Sequence, residues 1–219
     1  MSKKKIVLDA ILQQGILPLF YHDVVDESVE LVKTLYNAGV RVFEFTNRGD
    51  KAEVVFKALL SVRDQEMPGL YLGIGTIKNA KEASLFIDLG ADFIVSPIVN
   101  PSVGKLVNEA GLLWVPGCMT PTEIYTAQEY DAALIKLFPA NILGPGFMTA
   151  IKDLFKGQLF IPTGGVDIEI NNLKSWFQSG VCAVGMGSKL IDPKQTEGLE
   201  ERTVLALSLV SQARQNNKM

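Results

Sequence analysis

The first residue with chemistry to offer is a lysine set in the middle of an apolar run. Residues 133–140 read Ala-Leu-Ile-Lys-Leu-Phe-Pro-Ala, with Leu134, Ile135, Leu137 and Phe138 around Lys136. A run this short, bounded by turn residues, is that of a buried strand. Side chains alternate faces along a strand, so Leu134, Lys136 and Phe138 share one face. If both faces are covered, an ammonium group sits inside the protein, and desolvation favours its neutral amine. A neutral amine attacks carbonyl carbons and forms Schiff bases. The alternative is an edge strand whose lysine snorkels to water.

A second strand-like run, 40–46, carries Glu44 among apolar neighbours, with Arg48 just beyond it. A carboxylate beside a buried lysine can move the protons that Schiff-base chemistry requires. It can equally be no more than an ion-pair partner. The guanidinium fork of Arg48 suits a carboxylate, or simply faces solvent. Further polar residues fall where apolar runs end: Thr76, Ser96, Thr163 with Gly164 and Gly165, and Gly187 with Ser188. Parity lets Glu44, Thr76, Lys136 and Thr163 face one interior, each with an apolar strand neighbour two residues earlier or a run leading to it. Phe138 and Pro97 are candidates for apolar walls, and core packing accounts for them equally well.

These residues need elements to hold them together. Apolar runs at 16–21, 40–46, 70–76, 92–97, 112–117, 133–140, 158–165 (with its loop) and 181–188 read as strands. Helical spacing falls between them, at about 51–63, 79–89, 101–110, 146–156 and 168–178, with a last helix over 197–214. Thr120-Pro-Thr-Glu123 is a strong helix start, with Pro at the first helical position and Glu at the third. Residues 3–14 form an extra helix ahead of the first strand. Strand and helix alternation argues for parallel βα units. Eight such units predict a (β/α)8 TIM barrel with an extra N-terminal helix, as one domain over residues 1–219. A doubly wound open sheet is the other arrangement considered. In a barrel the strands' C-terminal ends carry the site, and glycine loops after the last two strands are where many barrels hold phosphate on backbone N–H groups.

Composition narrows the chemistry. The net charge is −3 and 47% of residues are hydrophobic, so a globular protein is expected, with neither nucleic acid nor a membrane as partner. No apolar run is long enough to span a bilayer, and the basic start at Met1–Lys5 is not followed by the apolar core of a signal peptide. Cys118 and Cys182 form no metal or redox motif. A reducing cytoplasm is the expected location. His22 is the single histidine, so histidine-rich metal sites are not expected and acid–base work falls to carboxylate, lysine or tyrosine.

The segments Glu44-Phe-Thr-Asn-Arg48, Gly73-Ile-Gly-Thr76, Ser96-Pro97, Ile135-Lys-Leu-Phe-Pro-Ala140 and Pro162-Thr-Gly-Gly165 together resemble the KDPG/KHG aldolase family. The resemblance covers nearly the whole chain. It implies a class I aldolase acting on 2-keto-3-deoxy-6-phosphogluconate (KDPG), or else on 4-hydroxy-2-oxoglutarate (KHG) or a galactose-series analogue. It implies no metal and no cofactor beyond a covalent Schiff base on Lys136, a 2-keto acid as the small-molecule substrate, and a homotrimer. By the same match Glu44 is the general acid and base, and Arg48 and Thr76 hold the pyruvate carboxylate. Pro97, Phe138 and Thr163 line the site, and Gly164, Gly165, Gly187 and Ser188 meet a phosphate. A phosphate-binding barrel without lyase activity is the reading from a different class. Three positions depart from the family pattern: Phe20-Tyr-His22 where many relatives carry an arginine, Gly49 where threonine is frequent, and Ile98 where glycine is common.

Overall fold

Nine strands and nine helices, alternating except where two strands follow one another, are seen in a computed structural model that describes residues 2–193 and 195–215. Helix α1 (Lys3–Gln14) opens the chain, capped by the Ser2 side chain and closed by Gly15 in the left-handed region. There follow β1 (Ile16–Phe20), α2 (Val25–Asn37), β2 (Val42–Thr46), α3 (Ala52–Glu66), β3 (Tyr71–Gly75), α4 (Ala80–Leu89), β4 (Phe93–Val95) and α5 (Pro101–Glu109). The second half holds β5 (Leu113–Val115), β6 (Gly117–Cys118), α6 (Pro121–Glu129), β7 (Leu134–Leu137), α7 (Ala140–Ile151), β8 (Leu159–Pro162), α8 (Ile170–Ser179), β9 (Val184–Met186) and α9 (Leu199–Gln215).

All strand pairs are parallel. One sheet has the order β5-β4-β3-β2-β1-β9 and the other β6-β7-β8. The run expected as one strand over 112–117 is two, because Pro116 has no N–H to give to a ladder. Its carbonyl still accepts from the Lys136 N–H at 2.8 Å, which joins the sheets on one flank. On the other flank Thr163 bridges Gly185, and the Cys182 N–H donates to the Phe160 carbonyl at 3.0 Å. One helix also differs from its expected range of 146–156. α7 begins at Ala140, but Gly144, whose φ is 70°, breaks it, and the part beyond the break, up to Ile151, corresponds to the helix expected there. The capping box expected at Thr120 and Glu123 is present in full.

Two apolar clusters fill the molecule. The larger lies between the sheets and the helices that follow the strands, and contains Phe43, Phe45, Phe56, Trp114, Ile135, Phe160 and Trp176. The smaller is built from the opposite strand faces: Leu17, Val42, Phe93, Val95, Leu113, Val115, Leu134, Ile161 and Ala183. Val7 and Ile11 of α1 complete that second cluster, so α1 stoppers one end of it. Burying each such side chain is worth roughly 1.5–3 kcal/mol. Moving two residues along the strands from Val42, Leu134 and Ile161 reaches Glu44, Lys136 and Thr163 on the same faces. The polar layer therefore stands directly on an apolar floor. Among the described residues, no helix is long and apolar enough to cross a membrane.

Candidate active site

Strand β7 lies between β6 and β8, so Lys136 is not on an edge. Its residue is 6% exposed, and snorkelling to water is ruled out by position. Glu44 on β2 is 1% exposed. Its Oε1 lies 4.0 Å from the Lys136 Nζ, within Coulombic range and beyond hydrogen-bond reach. That oxygen is the one buried side-chain N or O atom of the described residues without a hydrogen-bond partner. Glu44 finds its space because β3 offers a glycine there: a Cβ on Gly75 would collide with the Glu44 carboxylate.

Burial sets the protonation of both groups. It raises the Glu44 carboxyl above the ordinary carboxylate range, against the opposing fields of Lys136 and Arg48. It lowers Lys136 below an ordinary lysine, against Glu44, and Arg48 pushes it further down. Both directions favour a less charged pair, in which a neutral amine coexists with a proton carrier. The Phe138 ring centroid lies 5.2 Å from the Nζ and covers one side of the amine.

A cavity of about 430 Å³ opens beside this pair. Arg48, Phe138 and Thr163 form part of its wall, together with Gly164, Gly165, Gly187 and Ser188. Seven of the residues singled out in the sequence are thus brought to one space. Glu44 and Lys136 are not on the cavity wall; Phe138, near the Lys136 amine, and Arg48, whose charge acts on both, connect them to it. Thr163 stands over Gly185, where a Cβ would overlap its hydroxyl. Arg48 is exposed, and the ion pairs of the described residues leave it out. Its guanidinium is therefore free to meet an anionic ligand.

Thr76 and Pro97 are placed less centrally. Thr76 follows β3 with φ of 64°, a left-handed backbone that a β-branched residue adopts only under strain. Pro97 follows β4, and its carbonyl lies against Gly117, the register partner of Lys136.

Tyr21 and Lys189 are wall residues to which the sequence reading gave no role, Tyr21 having entered only as a departure from the family pattern. Tyr21 lines the cavity, with its ring centroid 5.5 Å from that of Phe45. Its hydroxyl donates to the Asp23 carboxylate, and burial followed by Asp23 pushes it up to about 12. A Cβ on Gly49 would strike the Tyr21 ring, so two separate departures from the family pattern are one contact. Lys189 is the second, one residue beyond the Ser188 where the sequence argument stopped. His22 is turned to other work: its Nδ1 accepts from the Val24 N–H at 3.2 Å and its Nε2 lies 3.2 Å from Glu27. Among the described residues, no group of three or more His, Cys, Asp or Glu could hold a metal ion.

Known proteins resemble this chain in sequence and fold. A family model described as KDPG and KHG aldolase matches residues 8–205. The 2-dehydro-3-deoxy-phosphogluconate aldolase of Treponema pallidum (strain Nichols) is 31% identical over 204 residues, which are 92% of this chain and 94% of that one. The 2-dehydro-3-deoxy-6-phosphogalactonate aldolase of Escherichia coli (strain K12) is 29% identical over 187 residues, 85% of each chain. Among solved structures, a 4-hydroxy-2-oxoglutarate/2-dehydro-3-deoxyphosphogluconate aldolase from TTHB1 has a TM-score of 0.78 and 29% identity, covering 93% of this chain and 98% of that one.

Proposed function

The chain belongs to the KDPG and KHG aldolase family, and on that premise we propose that it is a class I aldolase cleaving KDPG to pyruvate and glyceraldehyde 3-phosphate. The observation that carries this reading is the pairing of a buried, desolvated Lys136 with a Glu44 oxygen left without a hydrogen bond. A structural ion pair closes its hydrogen bonds. This one leaves the Glu44 Oε1 without a partner and so available for proton transfer.

The steps follow from the residues. The neutral Lys136 amine adds to the C2 carbonyl carbon, and the carbonyl oxygen takes a proton to give a carbinolamine. Glu44 donates the proton with which that hydroxyl leaves as water, and the imine forms. Glu44, now a carboxylate, accepts the proton of the C4 hydroxyl, directly or through a water. The C3–C4 bond breaks, the aldehyde departs, and its electron pair passes through C3 into the imine as an enamine. Protonation at C3 and addition of water then release pyruvate and restore the amine. Lys136 supplies the electron sink, so no metal or other cofactor enters these steps. Arg48 and Thr76 hold the carboxylate of the 2-keto acid, Pro97, Phe138 and Thr163 wall the site, and Gly164, Gly165, Gly187 and Ser188 receive the phosphate.

The remainder of the reading is architectural. The two sheets are staves of a single closed (β/α)8 barrel with α1 as its stopper, forming one domain; the joining bonds at Pro116 and Gly185 support this. A cytoplasmic homotrimer is the assembly that the family resemblance implies. The Tyr21–Gly49 contact favours a second substrate reading, because it reshapes the wall beside Arg48: the galactose-series 2-keto-3-deoxy-6-phosphogalactonate, or the unphosphorylated KHG. Pyruvate release, coupled to a dehydrogenase and measured with all three compounds, tests these assignments. The highest kcat/KM is expected with KDPG. A preference for either other compound moves the assignment within the family, and release from none of them leaves a phosphate-binding protein without lyase activity.

A further inference from the structure

The cavity wall carries two cationic side chains, and only one of them has a place in the reaction as described. Arg48 lies close enough to bias both Glu44 and Lys136, so it belongs to the amine end of the site. Lys189 biases neither. It stands on the turn after β9, next to Gly187 and Ser188, and faces the loop after β8. Its Nζ is 3.1 Å from the Asp167 Oδ1 of that second loop. Asp167 is not on the cavity wall, so the pair draws the ammonium toward the rim. Both partners are well exposed, at 63% and 39%. An exposed pair of this kind is weak and readily exchanged for a better anion.

The surroundings suit such an anion. Among the described residues, neither the Gly165 nor the Ser188 N–H donates a hydrogen bond. Gly165, at φ of 77°, is pressed against Asn141 at the start of α7, where an added Cβ would come within 2.5 Å of the Asn141 Cβ. The loop is therefore held in place rather than free to close on its own. A dianionic phosphate outcompetes a single carboxylate for an ammonium group, and charge-assisted donors are the strong ones.

We propose that Lys189 is a specificity-determining residue that binds the terminal phosphate of the substrate, and that Asp167 holds it at the rim until phosphate displaces the carboxylate. This rests on the aldolase reading for its substrate class, since it names the group that selects phosphorylated 2-keto acids over unphosphorylated ones. The probe is glycerol 3-phosphate, with glycerol as its unphosphorylated control, titrated into the full chain and followed by NMR chemical shifts. Lys189→Gln is expected to weaken glycerol 3-phosphate binding roughly tenfold, and Lys189→Arg to restore most of it. Asp167→Asn is expected to tighten binding, because the competing carboxylate is gone. Pyruvate release from KDPG, assayed separately, reports on the aldolase reading, so the two can fail independently. Equal affinity in wild type and Lys189→Gln, or no preference of the wild type for glycerol 3-phosphate over glycerol, overturns the role of Lys189. Weaker binding by Asp167→Asn overturns the exchange.

Discussion

Two buried carboxylates show how differently the same fold treats charge. Asp92 stands just ahead of β4, 7% exposed, with every oxygen taken. Its Oδ2 accepts from the Arg63 guanidinium at 2.6 Å and from the Leu72 N–H at 2.7 Å, and its Oδ1 lies 2.9 Å from the Lys3 Nζ. Three elements, α1, α3 and β3, are tied there to the start of β4. Glu44 is more deeply buried, yet its Oε1 has no hydrogen bond and its cation stands 4.0 Å away. A closed network rigidifies; an open one keeps its protons movable. The difference separates a carboxylate that holds the scaffold from one whose proposed task is proton transfer.

Removing each carboxylate sharpens the contrast. Glu44→Gln keeps shape and burial and removes the proton carrier, so kcat is expected to fall roughly 10²–10⁴-fold. Thermal stability should stay the same or rise slightly, because a desolvated carboxylate with an unfilled oxygen has gone. Steady-state kinetics and calorimetry on one preparation read both. A Glu44→Gln enzyme that turns over normally but melts early would make Glu44 a second Asp92.

Asp92→Ala is expected to do the reverse. It strands the Leu72 N–H and takes from Arg63 one of its two carboxylates, at a cost of about 3 kcal/mol, the low end for a broken buried pair because Lys3 is half exposed and Asp64 still pairs Arg63. Urea unfolding measures the loss, while turnover of the folded fraction should remain near wild type. A large fall in kcat at full stability would erase the distinction.

The smallest expected effect is on pH. Only the neutral Lys136 amine attacks, so imine formation with pyruvate should climb as pH rises and level off where the amine is fully deprotonated. Burial lowers Lys136 from the ordinary 10.5, which places that plateau below the ordinary lysine range. Glu44 favours the ammonium form, so Glu44→Gln should move the plateau lower still. A plateau that stays in place would mean that the two groups are not electrostatically coupled.

Much of this was legible before any coordinates. Lys136 and Glu44 each follow an apolar residue two positions earlier on their strands, and Leu134 and Val42 do lie in the floor beneath them. The parallel order of the strands followed from helical spacing between apolar runs. What could not be read depends on contacts between distant segments. Nothing local says that Tyr21 will rest on Gly49, or that Glu44 will need the bare backbone of Gly75 on the next strand. Pro116 gave a local warning, since a proline inside a strand has no N–H for the ladder. The break at Gly144 likewise has a local sign, a glycine followed by a proline, and the helix expected from about 146 is the part of α7 beyond it. Lys189 looked like one more surface lysine until the loops after β8 and β9 were placed side by side.

The account turns on the amine of Lys136, and chemical trapping tests it most directly. The protein is incubated with pyruvate, reduced with borohydride, digested and mapped by mass spectrometry. Reduction turns an imine into a stable secondary amine, so the pyruvate-derived mass is expected on the peptide that contains Lys136, and absent from the Lys136→Ala protein together with aldol cleavage. A label on another lysine, or brisk cleavage by Lys136→Ala, would contradict the assignment of Lys136 and with it the role given to Glu44.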